Sequence, residues 1–180
     1  MKTIYCLLGP SGSGKTTLGN YIKQELKISE LVSYTTRDRR RGEKQGDPYH
    51  FVREEQFHQL NLIEAVEYGG NYYGLAEKEI HQKLDYNDKV FVIIDRHGIN
   101  QLKEFCSDAD VTVEVVYIYS TFLECIERMK QSRDENIVSR IENAIKDGEF
   151  DNHDIADYIV RNKQGQIDKA KKQLRCILSQ

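Results

Sequence analysis

The chain has 180 residues, of which 39% are hydrophobic and 31% charged, and its formal net charge is -3. This composition suits one soluble α/β domain with a real core and excludes a disordered chain. An acidic balance excludes a general nucleic-acid binder, which presents a basic surface, and no segment approaches the ~20 apolar residues of a membrane span.

Residues 2–8 form a short apolar run that ends in glycine, which predicts a buried strand. The run is too short for a secretory leader and enters a glycine-rich stretch, so a cytoplasmic protein is expected. Leu18, Ile22 and Leu26 then follow at helical spacing and predict a helix over 16–26. A second strand is expected over 31–34, and a polar loop over 35–48 with Gly42, Gly46 and Pro48 as its signals. A short helix is predicted over 54–60, strands over 62–68 and 71–73, and a helix over 76–84. The apolar run KVFVIID predicts a parallel strand covered on both faces. A helix over 99–105 and the strand VTVEVVYIY come next, and Ser120 is the expected N-cap of the helix that follows. After polar QSRDEN, a helix over 137–146, a strand over 157–162 and a helix over 167–178 close the chain. Strands alternating with helices predict a parallel sheet flanked by helices, interrupted by an inserted lobe.

Cys6, Cys106, Cys125 and Cys176 are far apart and form no CxxC pair, so buried thiols in a reducing compartment are expected. The five histidines show no HxxxH spacing, and no metal site built from them is expected.

The segment GPSGSGKT fits G-x-x-x-x-G-K-[ST] between a predicted strand and a predicted helix. Gly9, Pro10, Ser11, Gly12, Ser13, Gly14, Lys15 and Thr16, with the adjoining Thr17, are therefore the candidate ATP cradle. Glycines let backbone N–H groups turn toward phosphate oxygens, and the helix N-terminus adds partial positive charge. Lys15 is expected on the β- and γ-phosphates and Thr16 on Mg²⁺. No N/T-K-x-D segment of the kind that reads guanine in GTPases is present.

The segment TTRDRRRGE sets four arginines within five positions of an acidic chain. Together, GPSGSGKTT, SYTTRDRRRGE, GDPYHF, IEAVEYGGNYYG, IIDRHG and DYIVRN occur in the order and approximate spacing of the guanylate kinase family, which this chain resembles over nearly its whole length. The resemblance implies a P-loop NTPase core over about 1–32, 85–127 and 141–180. It also implies a mixed α/β lobe for the nucleoside monophosphate over about 33–84 and a short helical lid over about 128–140. It implies transfer of the ATP γ-phosphoryl group to GMP or dGMP, with Mg²⁺ and without nucleic-acid or membrane partners. Arg37, Arg40, Tyr49 and Tyr73 match positions that hold the GMP phosphate, where arginine forks and tyrosine hydroxyls suit phosphate oxygens. Ser33, Glu64 and Asp95 match guanine-reading positions, and Asp95 also assists the Mg²⁺ shell. Arg128, Arg133 and Arg140 match lid arginines that act with Lys15 and Arg37 on the transferring group, and Asn162 matches a position near the ATP base.

The chain departs from the family pattern at several positions. Leu75 stands where a Ser or Thr helps recognise guanine O6, Ile93 where an aspartate precedes Asp95, and Pro48 where an acidic residue precedes Tyr49. Arg39 and Arg41 stand where prolines are common, and the lid is short, without an R-G-x turn. A ribose bisphosphate phosphokinase would share the loop without a guanine reader. A non-catalytic guanylate kinase-like interaction module would have no use for Lys15 and Thr16.

Overall fold

The computed structural model describes residues 2–39, 42–68, 70–131 and 137–180. In strand β1 (Lys2–Leu8) side chains alternate between two apolar layers. Ile4, Cys6 and Leu8 pack with Val90, Val92, Ile99 and Leu102. Tyr5 and Leu7 pack on the other face with Leu18, Ile22, Ala170 and Leu174. Both faces of this strand exclude water, the condition for a parallel sheet covered by helices.

After β1 and β2 (Ser29–Glu30) the chain builds a second sheet from β3 (Tyr34–Thr35), β4 (Lys44–Gln45), β5 (Pro48–Phe51), β6 (Leu62–Tyr68) and β7 (Asn71–Ala76). It then returns to the first with β8 (Lys89–Ile93), β9 (Val111–Tyr119) and β10 (Tyr158–Arg161). The first sheet has the order β10-β9-β1-β8-β2, with every pair parallel. The second has the order β4-β5-β3-β7-β6 and is mixed, because β7 runs antiparallel to both β3 and β6.

Helix α1 (Lys15–Tyr21) continues into a π-helical turn over Ile22–Leu26. It is followed by α2 (Glu54–Phe57), α3 (Glu77–Tyr86), α4 (Arg96–Phe105), α5 (Phe122–Gln131), α6 (Ile137–Lys146) and α7 (Ile167–Leu178).

Several local expectations shift, each for a visible reason. The single strand expected over 31–34 is replaced by β2 and β3, which belong to different sheets. The Val32 N–H, between them, donates to the buried Glu79 carboxylate at 3.1 Å and so takes no part in either ladder. The segment expected as a loop over 35–48 contains β4 and the start of β5, which pairs with β3. Helix α2 stops at Phe57 and not at residue 60. Helix α4 begins at Arg96, earlier than residue 99, because the Asp95 side chain caps it by accepting from the Gly98 N–H at 2.8 Å.

The cap of α5 is Thr121 and not Ser120. Thr121 Oγ1 accepts from the Glu124 N–H at 3.3 Å, and the Glu124 carboxylate accepts from the Thr121 N–H at 2.8 Å. This is the reciprocal T-x-x-E box. Cys6, Cys106 and Cys125 are buried as expected, but Cys176 lies on the outer face of α7 and is exposed.

Candidate active site

The phosphate loop links β1 to α1. Gly9, Gly12 and Gly14 take φ values of 146°, 82° and 98°, which side chains rarely adopt. A Cβ at Gly12 would stand 2.6 Å from the Cys125 carbonyl oxygen, and one at Gly14 would collide with the Asn162 amide. Lys15 Nζ donates to the carbonyls of Gly9 and Pro10, the latter at 3.1 Å. Burial lowers the Lys15 pKa, the Arg140 charge pushes the same way, and Glu149 and Cys125 oppose them. The Ser11 N–H donates to Glu149 at 2.7 Å. Thr16 and Thr17 are exposed in the first turn of α1.

Beneath the loop lies a polar network. Arg128 Nη1 donates to the Gly12 carbonyl at 3.2 Å, the Ser13 carbonyl at 3.3 Å and Ser120 Oγ at 2.8 Å. Its Nη2 donates to the Asn162 carbonyl at 2.6 Å and its Nε to Gln164 at 3.0 Å. Asn162 is buried, and its Nδ2 donates to the Ser13 carbonyl at 2.8 Å. Ser120 Oγ lies within hydrogen-bond distance of both the Ser13 and Asn162 carbonyls.

The second sheet carries a separate cluster of arginine and aromatic side chains. Arg37 Nη2 donates to both oxygens of Glu43, at 2.9 and 3.0 Å, and its guanidinium lies 5.7 Å from the Tyr49 ring centre and 5.5 Å from that of Phe51. The Tyr49 and Tyr73 rings meet edge-on at 5.6 Å. Ser33, just before β3, accepts from the His50 N–H through its carbonyl at 2.9 Å.

Glu64 on β6 faces Leu75 across the ladder, so the two side chains share one face of the sheet. Burial drives the Glu64 pKa up to about 7, the negative charge of Asp95 adds to the rise, and the Leu75 N–H opposes it. Gly98 allows this approach, since a Cβ there would stand 2.6 Å from Ile94 and 3.3 Å from Glu64 Cγ. Leu75 itself is fully buried and packs in the core with Ile80, Leu84 and Ile99.

The sequence-derived residues thus fall into a phosphate loop with its underside, and a cluster on the second sheet. Arg37, Tyr49 and Tyr73 come together, as do Glu64 and Asp95, and Arg140 is close enough for its charge to act on Lys15. Arg128 and Asn162 lie against the loop's backbone. Arg40, Arg41 and Arg133 lie outside the described residues. Glu149, Ser120 and Glu79 were not singled out as site residues. Each is a single polar side chain with no motif spacing, and only its three-dimensional partners give it meaning.

For Mg²⁺, the exposed Thr16 hydroxyl and Asp95 carboxylate are hard oxygen donors, whereas Ile93 packs toward Gly19 and supplies none. Among the described residues no three His, Cys, Asp or Glu side chains converge on a metal position. That sparse donor set fits Mg²⁺, which is usually held by one or two protein oxygens, substrate phosphates and water. No helix among the described residues is long and apolar enough to cross a membrane.

The family model described as guanylate kinase matches residues 1–180. The chain belongs to the guanylate kinase family. A guanylate kinase of Synechococcus sp. (strain JA-3-3Ab) is 34% identical over 183 residues, covering 96% of this chain and 80% of that relative. A guanylate kinase of Wolbachia pipientis wMel is 32% identical over 180 residues, covering 96% of this chain and 87% of the relative. The crystal structure of guanylate kinase from Anaplasma phagocytophilum superposes with a TM-score of 0.67 at 23% identity, covering 99% of this chain and 84% of the other. The parallel sheet with flanking helices is accordingly the guanylate kinase form of the P-loop NTPase fold.

Proposed function

We propose that this chain is a Mg²⁺-dependent, cytoplasmic nucleoside monophosphate kinase that moves the γ-phosphoryl group of ATP to GMP or dGMP in purine nucleotide metabolism. The observation that carries the reading is the pairing, on one inserted sheet, of an arginine–tyrosine anion cluster with the buried carboxylate Glu64. A phosphate clamp and a base reader on one surface suit a purine monophosphate acceptor. Segment 33–84 is the acceptor lobe and 128–140 the lid over a core made of the remaining chain.

In this reading Gly9, Pro10, Ser11, Gly12, Ser13, Gly14, Lys15, Thr16 and Thr17 cradle the ATP phosphates. Lys15 swings from the Gly9 and Pro10 carbonyls to the β- and γ-phosphates, trading neutral acceptors for charged ones. Thr16 and Asp95 hold Mg²⁺, which neutralises phosphate charge when bound. Arg37 exchanges Glu43 for the acceptor phosphate, with Arg40, Tyr49 and Tyr73 completing the clamp. Ionised Glu64 accepts from guanine N1–H and the N2 amine; adenine, an acceptor at N1, is refused. Ser33 lies beside the base. Arg140 and Arg133 are the arginines assigned to charge neutralisation on the transferring group. Positioning and charge neutralisation accomplish the transfer, with no covalent intermediate.

The test is coupled ADP release from ATP with GMP, dGMP, AMP, CMP and UMP, run on the native chain and on Lys15→Ala. GMP or dGMP should be strongly preferred, and the variant should remain folded with its kcat abolished. Equal use of AMP overturns the guanine assignment, and a near-native kcat in Lys15→Ala overturns the loop assignment.

A further inference from the structure

Two donors converge on a single carbonyl of the phosphate loop, Asn162 Nδ2 at 2.8 Å and Arg128 Nη1 at 3.3 Å on Ser13 O. Ser120 Oγ stands 3.3 Å from the same atom, with its one proton shared with the nearer Asn162 carbonyl at 2.9 Å. A trans peptide is planar, so its carbonyl and the next N–H point in opposite directions. Fixing Ser13 O beneath the loop therefore fixes the Gly14 N–H on the opposite, nucleotide-facing side. The constraint matters because Gly14, which supplies the N–H of this peptide, lies at positive φ, and a glycine backbone turns over readily. If the peptide flipped, a carbonyl dipole would meet the phosphates where an N–H should stand.

Resting on the ATP-loop reading above, we propose that Arg128 is a positioning residue that braces the phosphate loop from beneath, and that it does not act on the transferring phosphoryl group. All three of its guanidinium nitrogens are engaged: Nε donates to Gln164, Nη2 to the Asn162 carbonyl, and Nη1 is shared among Gly12 O, Ser13 O and Ser120 Oγ. Reaching a phosphoryl group would break this set and release two loop carbonyls at once. The planar fork alone spans α5, the loop and the segment after β10. A lysine offers one ammonium and cannot cover those acceptors together.

The proposal separates ground-state binding from chemistry. Calorimetry of ADP binding without any acceptor, together with steady-state kinetics, is compared for the native chain, Arg128→Ala and Arg128→Lys. A brace predicts that both variants weaken ADP by about ten- to hundred-fold and raise the KM for ATP comparably. The KM for GMP should stay within about twofold, a split that general loss of structure would not produce. Unchanged ADP affinity with kcat reduced more than about hundred-fold would overturn the proposal, because it is the signature of a group acting only in the transition state. So would rescue of ADP binding by Arg128→Lys.

Ser120→Ala, a gentler change, removes one hydroxyl shared by Ser13 O, Asn162 O and Arg128. It should weaken ADP by about three- to tenfold, and unchanged affinity there also counts against the brace. The ADP arm reads the loop whatever the acceptor proves to be, so its result stands apart from the GMP assignment.

Discussion

The Glu149 carboxylate accepts a hydrogen bond from the Ser11 N–H at 2.7 Å across 138 positions of sequence. A negative charge is thus placed beside the P-loop, and its field partly offsets the burial that lowers the Lys15 pKa. Glu149→Gln retains an acceptor oxygen but removes the charge, so Lys15 should lose its proton at lower pH. The alkaline limb of kcat/KM for ATP should move downward in pH, and an unshifted limb would show that the two charges do not communicate. Glu149→Ala also leaves the Ser11 N–H without this partner and should cost about 1–2 kcal/mol in urea unfolding.

Glu64 gives a second pH dependence. Burial pushes its carboxyl up to about 7 in the folded protein, from an ordinary value of 4.5. Only the ionised form accepts both guanine donors, so GMP binding should weaken as pH falls through 7, by about tenfold per unit well below it. Asp95→Asn removes a negative neighbour and should shift that onset to lower pH. Because the folded state holds the extra proton between 4.5 and 7, this group makes stability fall as pH rises through that window. Glu64→Gln should therefore be more stable than the native chain at pH 8 while losing guanine selectivity. A pH-independent KM for GMP between 5.5 and about 8 contradicts the assignment.

The arginine cluster should prove unequal. Arg37 is tied to Glu43 and lies against Tyr49 and Phe51, whereas Arg39 is exposed. Arg37→Ala should remove a charge-assisted contact of about 1.5–3 kcal/mol and raise the KM for GMP by roughly ten- to hundred-fold. Arg39→Ala should matter little at physiological salt and more at low salt, where screening is weak. Equal losses in both variants, measured at two ionic strengths, would indicate a diffuse basic patch.

Leu75 sets stability against selectivity. Its side chain is fully buried beside Glu64, so Leu75→Ser should cost about 2–5 kcal/mol by denaturant titration. At a temperature where the variant is folded, a hydroxyl on this face should raise kcat/KM for GMP by roughly five- to hundred-fold. No gain would mean that another donor already serves guanine O6.

Much of the architecture was legible in the chain because its signals are local. The apolar run VFVI after Lys89 and the P-loop motif each state a local geometry, and the structure has them as β8 and the β1–α1 connection. The Thr121–Glu124 box was equally local, but the adjacent Ser120 competes as a cap by composition alone. Strand partition near residue 32 was not legible, because it depends on Glu79 reaching Val32 from 47 positions away.

By itself, the sequence determined that a strand–loop–helix cradle would form at residues 9–16 and that acceptor-like motifs would follow it in family order. Glycine, lysine and hydroxyl spacing is enough for that, since the turn and the helix start are local signals. The tertiary structure alone decided what those residues face. It turned Arg128 beneath the loop, set Glu149 on Ser11, and buried Glu64 beside Asp95 so that its carboxyl ionises near 7. Hydrogen-bond partnership and desolvation depend on neighbours distant in sequence, and no local pattern records them.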